Sequence, residues 1–414
     1  MHRRRTPHGV KRRTILRTAA GAAVSAATSV LALSRPAWSG RADGNVVIAG
    51  TKSVTGEHAV IGQYGELGSS LALRTAGLIA GRAVDYWLID TGGPTAQVLD
   101  KIRDAIERSS VRFFIGAASP ETGPLIADQV TQAGCVYACG LGVDELTGTP
   151  CHRSVFRWST APQVAVVQTI DPLLALIPDA ERWFVIAPAT PLGRALMTPT
   201  LERVEALGVD HVGTARIAAQ DREFSGLFQR VLAARPDVTV VLASGGQSSA
   251  LIRHAVNIGA HRSTRLLVVW SGGLHQLQSL GPDAIDGIYF GSQYWHEVDT
   301  PMNRFLVAHT RARYGINPNA PLAAEFIGTK LLIDAIAHTG STEPEPIIAQ
   351  LEGLHYDGPT GPETIRVSDH QSIKAYYLLR GKSRARMHDA DNLADVVNAA
   401  RPDILEAAPS CRTA

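Results

Sequence analysis

The residues best suited to chemistry are scattered along the 414-residue chain. Asp369-His370-Gln371 is the polar triplet that most suggests a catalytic pair. Neighbours on a strand point to opposite faces, however, so an adjacent carboxylate and imidazole cannot act on one substrate atom, and the triplet reads as structural. His152, His254, His261, His275 and His296 lack the paired spacing of a zinc site. Gly245-Gly246-Gln247-Ser248-Ser249 does not imitate a G-x-S-x-G nucleophile elbow, and no P-loop or G-x-G-x-x-G follows an apolar run. Neither enzymatic activity, nor a metal, nor any cofactor is expected. What recurs instead is a set of segments rich in Gly, Ser and Thr, at 53–59, 116–123, 140–144, 244–248 and 270–273. Such segments let backbone donors approach a ligand closely, which is the chemistry of binding rather than of bond making. Glu57 and His58 add polar groups to the first of them. Trp270, Tyr294 and Trp295 supply aromatic surface that serves either a pocket wall or a core.

These segments need a scaffold that brings them together. From residue 45 onward, short apolar runs at 46–49, 83–89, 113–115, 136–139, 184–187, 211–217, 238–243, 266–269 and 288–290 alternate with helical patterns, for example 62–76, 96–108, 121–132, 195–207, 224–234 and 248–258. In the helical windows apolar residues recur at three and four, as in Leu227, Val231 and Leu232. Asp144, Ser225 and Thr300 stand where N-caps belong. The rhythm predicts an α/β protein of parallel βαβ layers. In such sheets ligands bind beyond the carboxyl ends of the strands, which is where the five segments fall.

The N-terminus belongs to a different process. Residues 1–39 hold eight Lys or Arg and no Asp or Glu, followed by a mild apolar run at 18–33, the pattern of a cleaved signal peptide. Lys11-Arg12-Arg13-Thr14-Ile15-Leu16-Arg17 resembles the twin-arginine export motif, with the general secretory route as the alternative. Ala37-Trp38-Ser39 supplies small residues before a cut at Gly40. No lipobox cysteine follows, so a soluble periplasmic or other extracytoplasmic location is expected. Loss of the leader leaves 32 basic against 38 acidic residues, and no basic face that would take nucleic acid. The remaining chain, about 375 residues, suits two lobes with their own cores. Cys135 and Cys139 share a strand-like stretch whose four residues span roughly 13 Å, too far to bridge. The expected disulfide is Cys151–Cys411, with four unpaired thiols as the alternative.

Taken in order, several motifs resemble the type I periplasmic binding proteins of the branched-chain amino acid and amide class. The 53–62 stretch Ser-Val-Thr-Gly-Glu-His-Ala-Val-Ile-Gly resembles that family's opening loop, and Phe113-Phe114-Ile115-Gly116-Ala117-Ala118-Ser119 the loop ending in a ligand-binding hydroxyl. Glu145-Leu146-Thr147-Gly148, Phe156-Arg157-Trp158, Glu223-Phe224-Ser225, 238–259, Tyr314-Gly315 through Glu325, and Gly358-Pro359-Thr360-Gly361 follow in the expected order. The resemblance implies two lobes, each a parallel sheet flanked by helices, with hinge crossings near Ser159, Gly291 and Pro359. Lobe one is then 45–158 plus 292–358, lobe two 159–291 plus 359–405, and 406–414 a tail. It also implies a monomer that closes around a small molecule and presents it to an ABC permease; the alternative is an amide-type sensor acting on a regulatory partner.

Residue by residue, the resemblance makes Ser119 a hydroxyl for a ligand carboxylate, with Ser53, Gly140 and Leu141 as further contacts. Gly142 stands where a Thr hydroxyl is usual. Ser271 replaces the carboxylate that pairs with an amino group, Ser244 or Gly245 a covering aromatic, and Pro191 another. These losses count against a plain α-amino acid and favour a small carboxylate or amide with an apolar or aromatic body.

Overall fold

The computed structural model describes residues 44–116, 119–140, 142, 146–147 and 152–400. Its first half is built from β1 (Val46–Lys52), α1 (Ala59–Ala76), β2 (Val84–Asp90), α2 (Thr95–Ser109), β3 (Phe113–Gly116), α3 (Gly123–Gln132), β4 (Val136–Cys139) and β5 (Val155–Arg157). The strands form an all-parallel sheet of order β2-β1-β3-β4-β5. There follow α4 (Pro162–Leu176), β6 (Arg182–Pro188), α5 (Pro191–Ala206), β7 (Asp210–Ile217), α6 (Ser225–Ala234), β8 (Val238–Val241), α7 (Gly245–Asn257), β9 (Arg265–Val268), α8 (Leu274–Leu280), α9 (Pro282–Ile285) and β10 (Tyr289–Ser292). Three helices come next, α10 (Pro301–Tyr314), α11 (Ala320–Thr339) and α12 (Pro344–Leu351), then β11 (His355–Gly358), β12 (Gly361–Ile365), β13 (Ser372–Ile373), β14 (Tyr376–Gly381) and β15 (Ala394–Ala400). The second large sheet has order β15-β14-β10-β9-β8-β6-β7, antiparallel only where β14 meets β10 and β15, while β11, β12 and β13 make a small antiparallel sheet.

The inner strands of each large sheet are buried on both faces and mostly apolar, alternate residues serving opposite layers, whereas the edge strands β2 and β7 carry polar and exposed residues. In the first sheet Ile48, Ile115 and Ala138 pack with Leu322 and Phe326 of α11, whereas Ala49, Phe114 and Tyr137 pack with Ile102 of α2 and Ile126 of α3. In the second, Phe184, Ile186 and Val268 face Phe228 and Leu251, while Trp183, Val185 and Leu267 face Ile170 and Leu196.

The parallel strands expected from the sequence are present. Helices α1, α5 and α7 begin three or four residues earlier than their apolar periodicity indicates. A first helical turn needs no buried stripe, and it tolerates the Pro191 that opens α5. Thr300 caps α10 as expected, its hydroxyl accepting from Asn303 N at 3.0 Å. Ser225 is instead the first residue of α6, bonded to Glu223 Oε1. Asp144 lies outside the described residues. Strands β5 and β11 to β15 have no counterpart among the sequence-derived strands; β11 and β12 are short and largely polar, so alternation is faint.

Helices α1 and α11 approach closely because Gly68 has no side chain: a Cβ there would sit 2.2 Å from Leu322 O. Beside that contact a buried cation is enclosed. Lys52 Nζ meets Tyr86 Oη at 3.1 Å, Glu325 at 3.5 Å and Glu66 at 3.7 Å. Burial pushes the Glu325 carboxyl up to about 7 against the pull of Lys52.

Three segments connect the first sheet and its helices with the second, and they are tied to one another. Gln293 Oε1, after β10, accepts from Thr160 N at 2.8 Å and Ser159 Oγ at 3.0 Å, both after β5. Gln371 Nε2, before β13, donates to Ser159 O at 2.8 Å. Lys374, between β13 and β14, donates to Gln293 O at 2.9 Å, and its ammonium lies 4.0 Å from the Trp158 ring centroid. Trp158 Nε1 donates to Glu363 Oε2 at 2.7 Å, and Glu363 Oε1 takes Thr360 Oγ1 at 2.8 Å. Pro359 lies in the turn between β11 and β12, and the chain enters the second sheet through Lys374 and Ala375.

Two outcomes are expected. Gly68→Ala forces the α1–α11 backbones apart and lowers stability by about 1–3 kcal/mol in urea unfolding. Burial pushes the Lys374 ammonium down to about 7 from 10.5, with Glu363 opposing. Between those values the unfolded chain holds a proton that the native state lacks, so this group's contribution to stability rises with pH, by at most about 1.4 kcal/mol per pH unit. Urea unfolding at pH 7, 8 and 9 should show that increment in the native protein and not in Lys374→Met.

Candidate functional site

The two halves meet at described residues near the strand ends of both sheets. One is Gly142, beyond β4, against Trp270, beyond β9: a Cβ on Gly142 would lie 2.5 Å from Cζ2 of the indole. A second is Tyr64 of α1 with His275 of α8, ring centroids 6.1 Å apart. A third is Asp391, which accepts from Gln278 at 2.6 Å and from Asn317, in the α10–α11 connection, at 2.8 Å.

Around this meeting point the expected residues fare differently. Ser53 is buried and its hydroxyl is paired with Thr91 Oγ1 at 2.9 Å, which holds the ends of β1 and β2 together. Glu57 is exposed, and His58 is half-buried at the head of α1. Ser119 accepts from Thr122 N at 3.1 Å and stands within hydrogen-bond distance of Thr122 Oγ1 at 3.2 Å, so it shapes the turn that opens α3. Gly140 donates its N–H to Gly116 O at 3.2 Å. Leu141 lies outside the described residues, as do Cys151 and Cys411.

On the opposite side, Ser244 is half-buried at the N-cap of α7 and makes no capping bond through its side chain. Gly245 is exposed with φ +56°, a conformation that favours glycine. Trp270 is half-buried, its ring 6.1 Å from that of Tyr376. The Ser271 hydroxyl is occupied, donating to Gly291 O at 2.7 Å and accepting from Gly273 N at 3.3 Å. Pro191 opens α5.

Tyr294 and Trp295 are core residues rather than walls of the site, each only 1% exposed. Tyr294 packs in the core of the first sheet with its hydroxyl 2.5 Å from Asn303 Oδ1, and Trp295 packs in the core of the second. Consecutive side chains point in opposite directions after β10, so one enters each core. The Asp369-His370-Gln371 triplet is split among three structural tasks. Asp369 pairs with Arg366, His370 at φ +56° stacks on Phe156 at 4.4 Å, and Gln371 ties two connecting segments.

Tyr64 at this meeting point was not singled out by the sequence, and His275 only as one of five histidines without zinc spacing. Tyr64 lies two residues beyond the glycine that ends the first motif, and His275 five beyond Trp270, so proximity to those motifs was the available signal. Burial pushes the His275 pKa down and the Tyr64 pKa up, with Asp391 adding to the latter. Both are therefore uncharged at neutral pH. The loops that follow β6, β8 and β9 contain no Asp or Glu. Among the described residues no group of three His, Cys, Asp or Glu could hold a metal ion. The arrangement offers hydroxyls, backbone groups and an indole, which can hold a small molecule.

The sequence of residues 45–386 matches the family described as periplasmic binding protein. The chain belongs to that family. Its fold of two mainly parallel sheets flanked by helices is shared by solved relatives. An amino acid ABC transporter substrate-binding protein from Pseudomonas fluorescens Pf-5 is 42% identical, with 86% of this chain and 96% of that one aligned at a TM-score of 0.84. A solute-binding protein of an ABC transporter from R. palustris, solved with benzoate, is 19% identical over 89% of this periplasmic binding protein and 99% of its own length, TM-score 0.76. A leucine-binding protein from Thermotoga maritima is 20% identical over 87% and 100%, TM-score 0.73. A curated limonene hydroxylase from Geobacillus stearothermophilus matches over 95 residues at 30% identity, 22% of this chain, which thereby spans only 18% of that protein. No helix of the described residues is long and apolar enough to cross a membrane.

The core placement of Tyr294 has a measurable consequence. Tyr294→Phe leaves the Asn303 carbonyl oxygen without this buried partner and should lower stability by about 1–3 kcal/mol in chemical unfolding.

Proposed function

We propose that this periplasmic binding protein is the extracytoplasmic solute-capturing component of an ABC importer, and that it catalyses no reaction. The observation that supports this reading is that Trp270, beyond β9 of the second sheet, reaches Gly142, beyond β4 of the separately cored first sheet. Lobe one comprises the five-stranded sheet with α10 to α12, and lobe two the seven-stranded sheet. The knot of connecting segments around Gln293 is the hinge, with its third crossing at Lys374 rather than at Pro359. The chain is exported by its basic leader, which is removed at Gly40, and works as a monomer whose closed form a membrane permease recognises.

The ligand is a small organic solute. Hydrophobic amino acids, amides, and aromatic or aliphatic carboxylates are the classes to examine, since relatives include proteins named for leucine and solved with benzoate. The hydroxyls and backbone groups at Ser119, Gly140, Gly142 and Ser244, with the indole of Trp270, make the contacts. Ser53 and Ser271 shape the loops from behind.

A thermal-shift screen of residues 40–414 against amino acids, amides, urea and carboxylates tests this directly. A true ligand at 100 times its Kd stabilises the fold by about 2.7 kcal/mol. A saturable shift confined to one chemical class is the expected result. No shift across the panel from folded protein would refute solute capture of these classes.

A further inference from the structure

Gly142 is required to be small for a reason its own backbone does not supply. Its φ lies outside the left-handed region, so a side chain would fit the main chain without strain. The obstacle is across the cleft. A Cβ at this position would meet Cζ2 of Trp270 at 2.5 Å and Cη2 at 2.7 Å, with Ser159 Oγ at 3.6 Å beside them. The indole has little freedom to withdraw. It packs on the core formed by Trp183, Val185, Leu267 and their neighbours, and it lies 6.1 Å from the Tyr376 ring, which is held in turn by a bond from its hydroxyl to Val269 O at 2.7 Å. Residue 142 comes from the loop after β4 and residue 270 from the loop after β9, so the two identities are coupled between the sheets.

This coupling has a chemical consequence. While Trp270 is present, position 142 contributes main-chain groups and no hydroxyl. The Ser271 hydroxyl is already engaged with Gly291 and Gly273. None of the loops after β6, β8 and β9 carries a carboxylate. An ammonium group enclosed against those three loops would lose its water with no counter-charge from them, and Asp391, at the third meeting point, is already engaged by Gln278 and Asn317. An indole face does attract cations, so a quaternary ammonium is the probe that separates a cation-binding cage from an apolar floor.

Resting on the solute-capture reading above, we infer that Trp270 and Gly142 form a matched steric pair that floors the cleft and selects a flat, apolar-bodied ligand without an ammonium group over an α-amino acid. Exchange of Gly142 for a larger residue acts chiefly through Trp270, whose ring atoms a Cβ would meet at 2.5 and 2.7 Å.

The test is isothermal titration of the full mature chain with benzoate, benzamide, L-leucine and choline, using the native protein, Gly142→Ala, Trp270→Ala and the double variant, each first checked by circular dichroism melting. Trp270→Leu replaces Trp270→Ala if the latter does not fold. Benzoate or benzamide is expected to bind the native protein at least tenfold more tightly than L-leucine or choline. Gly142→Ala should weaken that binding tenfold or more in the native background and less than threefold once Trp270 is removed. Tighter binding of L-leucine or choline, or an equal effect of Gly142→Ala in both backgrounds, overturns the inference while leaving solute capture standing. Binding of another solute but none of these four does the same. Failure of the native protein to bind any member of the wider screening panel overturns solute capture itself, and the inference with it.

Discussion

The arrangement of the two sheets depends on how three connecting segments are held against one another. Each is a stretch of backbone with no ladder of its own beyond a single bridge between Arg157 and Gln371. Its polar groups must therefore be satisfied by side chains from the other two. Gln293 and Gln371 are suited to this because an amide both donates and accepts, and Lys374 crosses from one segment to the carbonyl of another while resting on Trp158. The cost is a buried ammonium and a buried Glu363 carboxylate. The return is that the connections hold one another's register, which a purely apolar junction would not specify.

Against that junction, the sheets themselves are conventional and stiff. Both faces of each are covered by helices, and alternate strand residues are committed to opposite cores. The loops at the strand ends are then the places where sequence can vary without disturbing the layers. Here the loops after β6, β8 and β9 carry no Asp or Glu, and Trp270 projects into the room left at Gly142. Family membership accounts for the scaffold, whereas the proposed choice of solute rests on these few positions.

Much of this was legible in the residues. Parallel strands announced themselves as apolar runs such as Val-Tyr-Ala-Cys at 136–139 because burial on both faces demands it, and the Gly- and Ser-rich stretches after them marked the candidate binding edge. The hairpin of β11 and β12 was not legible, since its exposed face is polar and its strands are short. Tyr294 and Trp295 could not be sorted from Trp270, because an aromatic beyond a strand end has the same local appearance whether it turns into a core or toward the opposite sheet.

The sequence by itself determined the α/β layering, the family and the position of the candidate binding loops, since periodicity, turn chemistry and motif order are local properties. Only the tertiary structure decided which side chains meet. Trp270 lies on Gly142, Lys374 on Trp158 and Gln293 against Thr160, pairs more than eighty residues apart in the chain. Contacts of that kind depend on how two sheets are set against one another, and no local pattern encodes them.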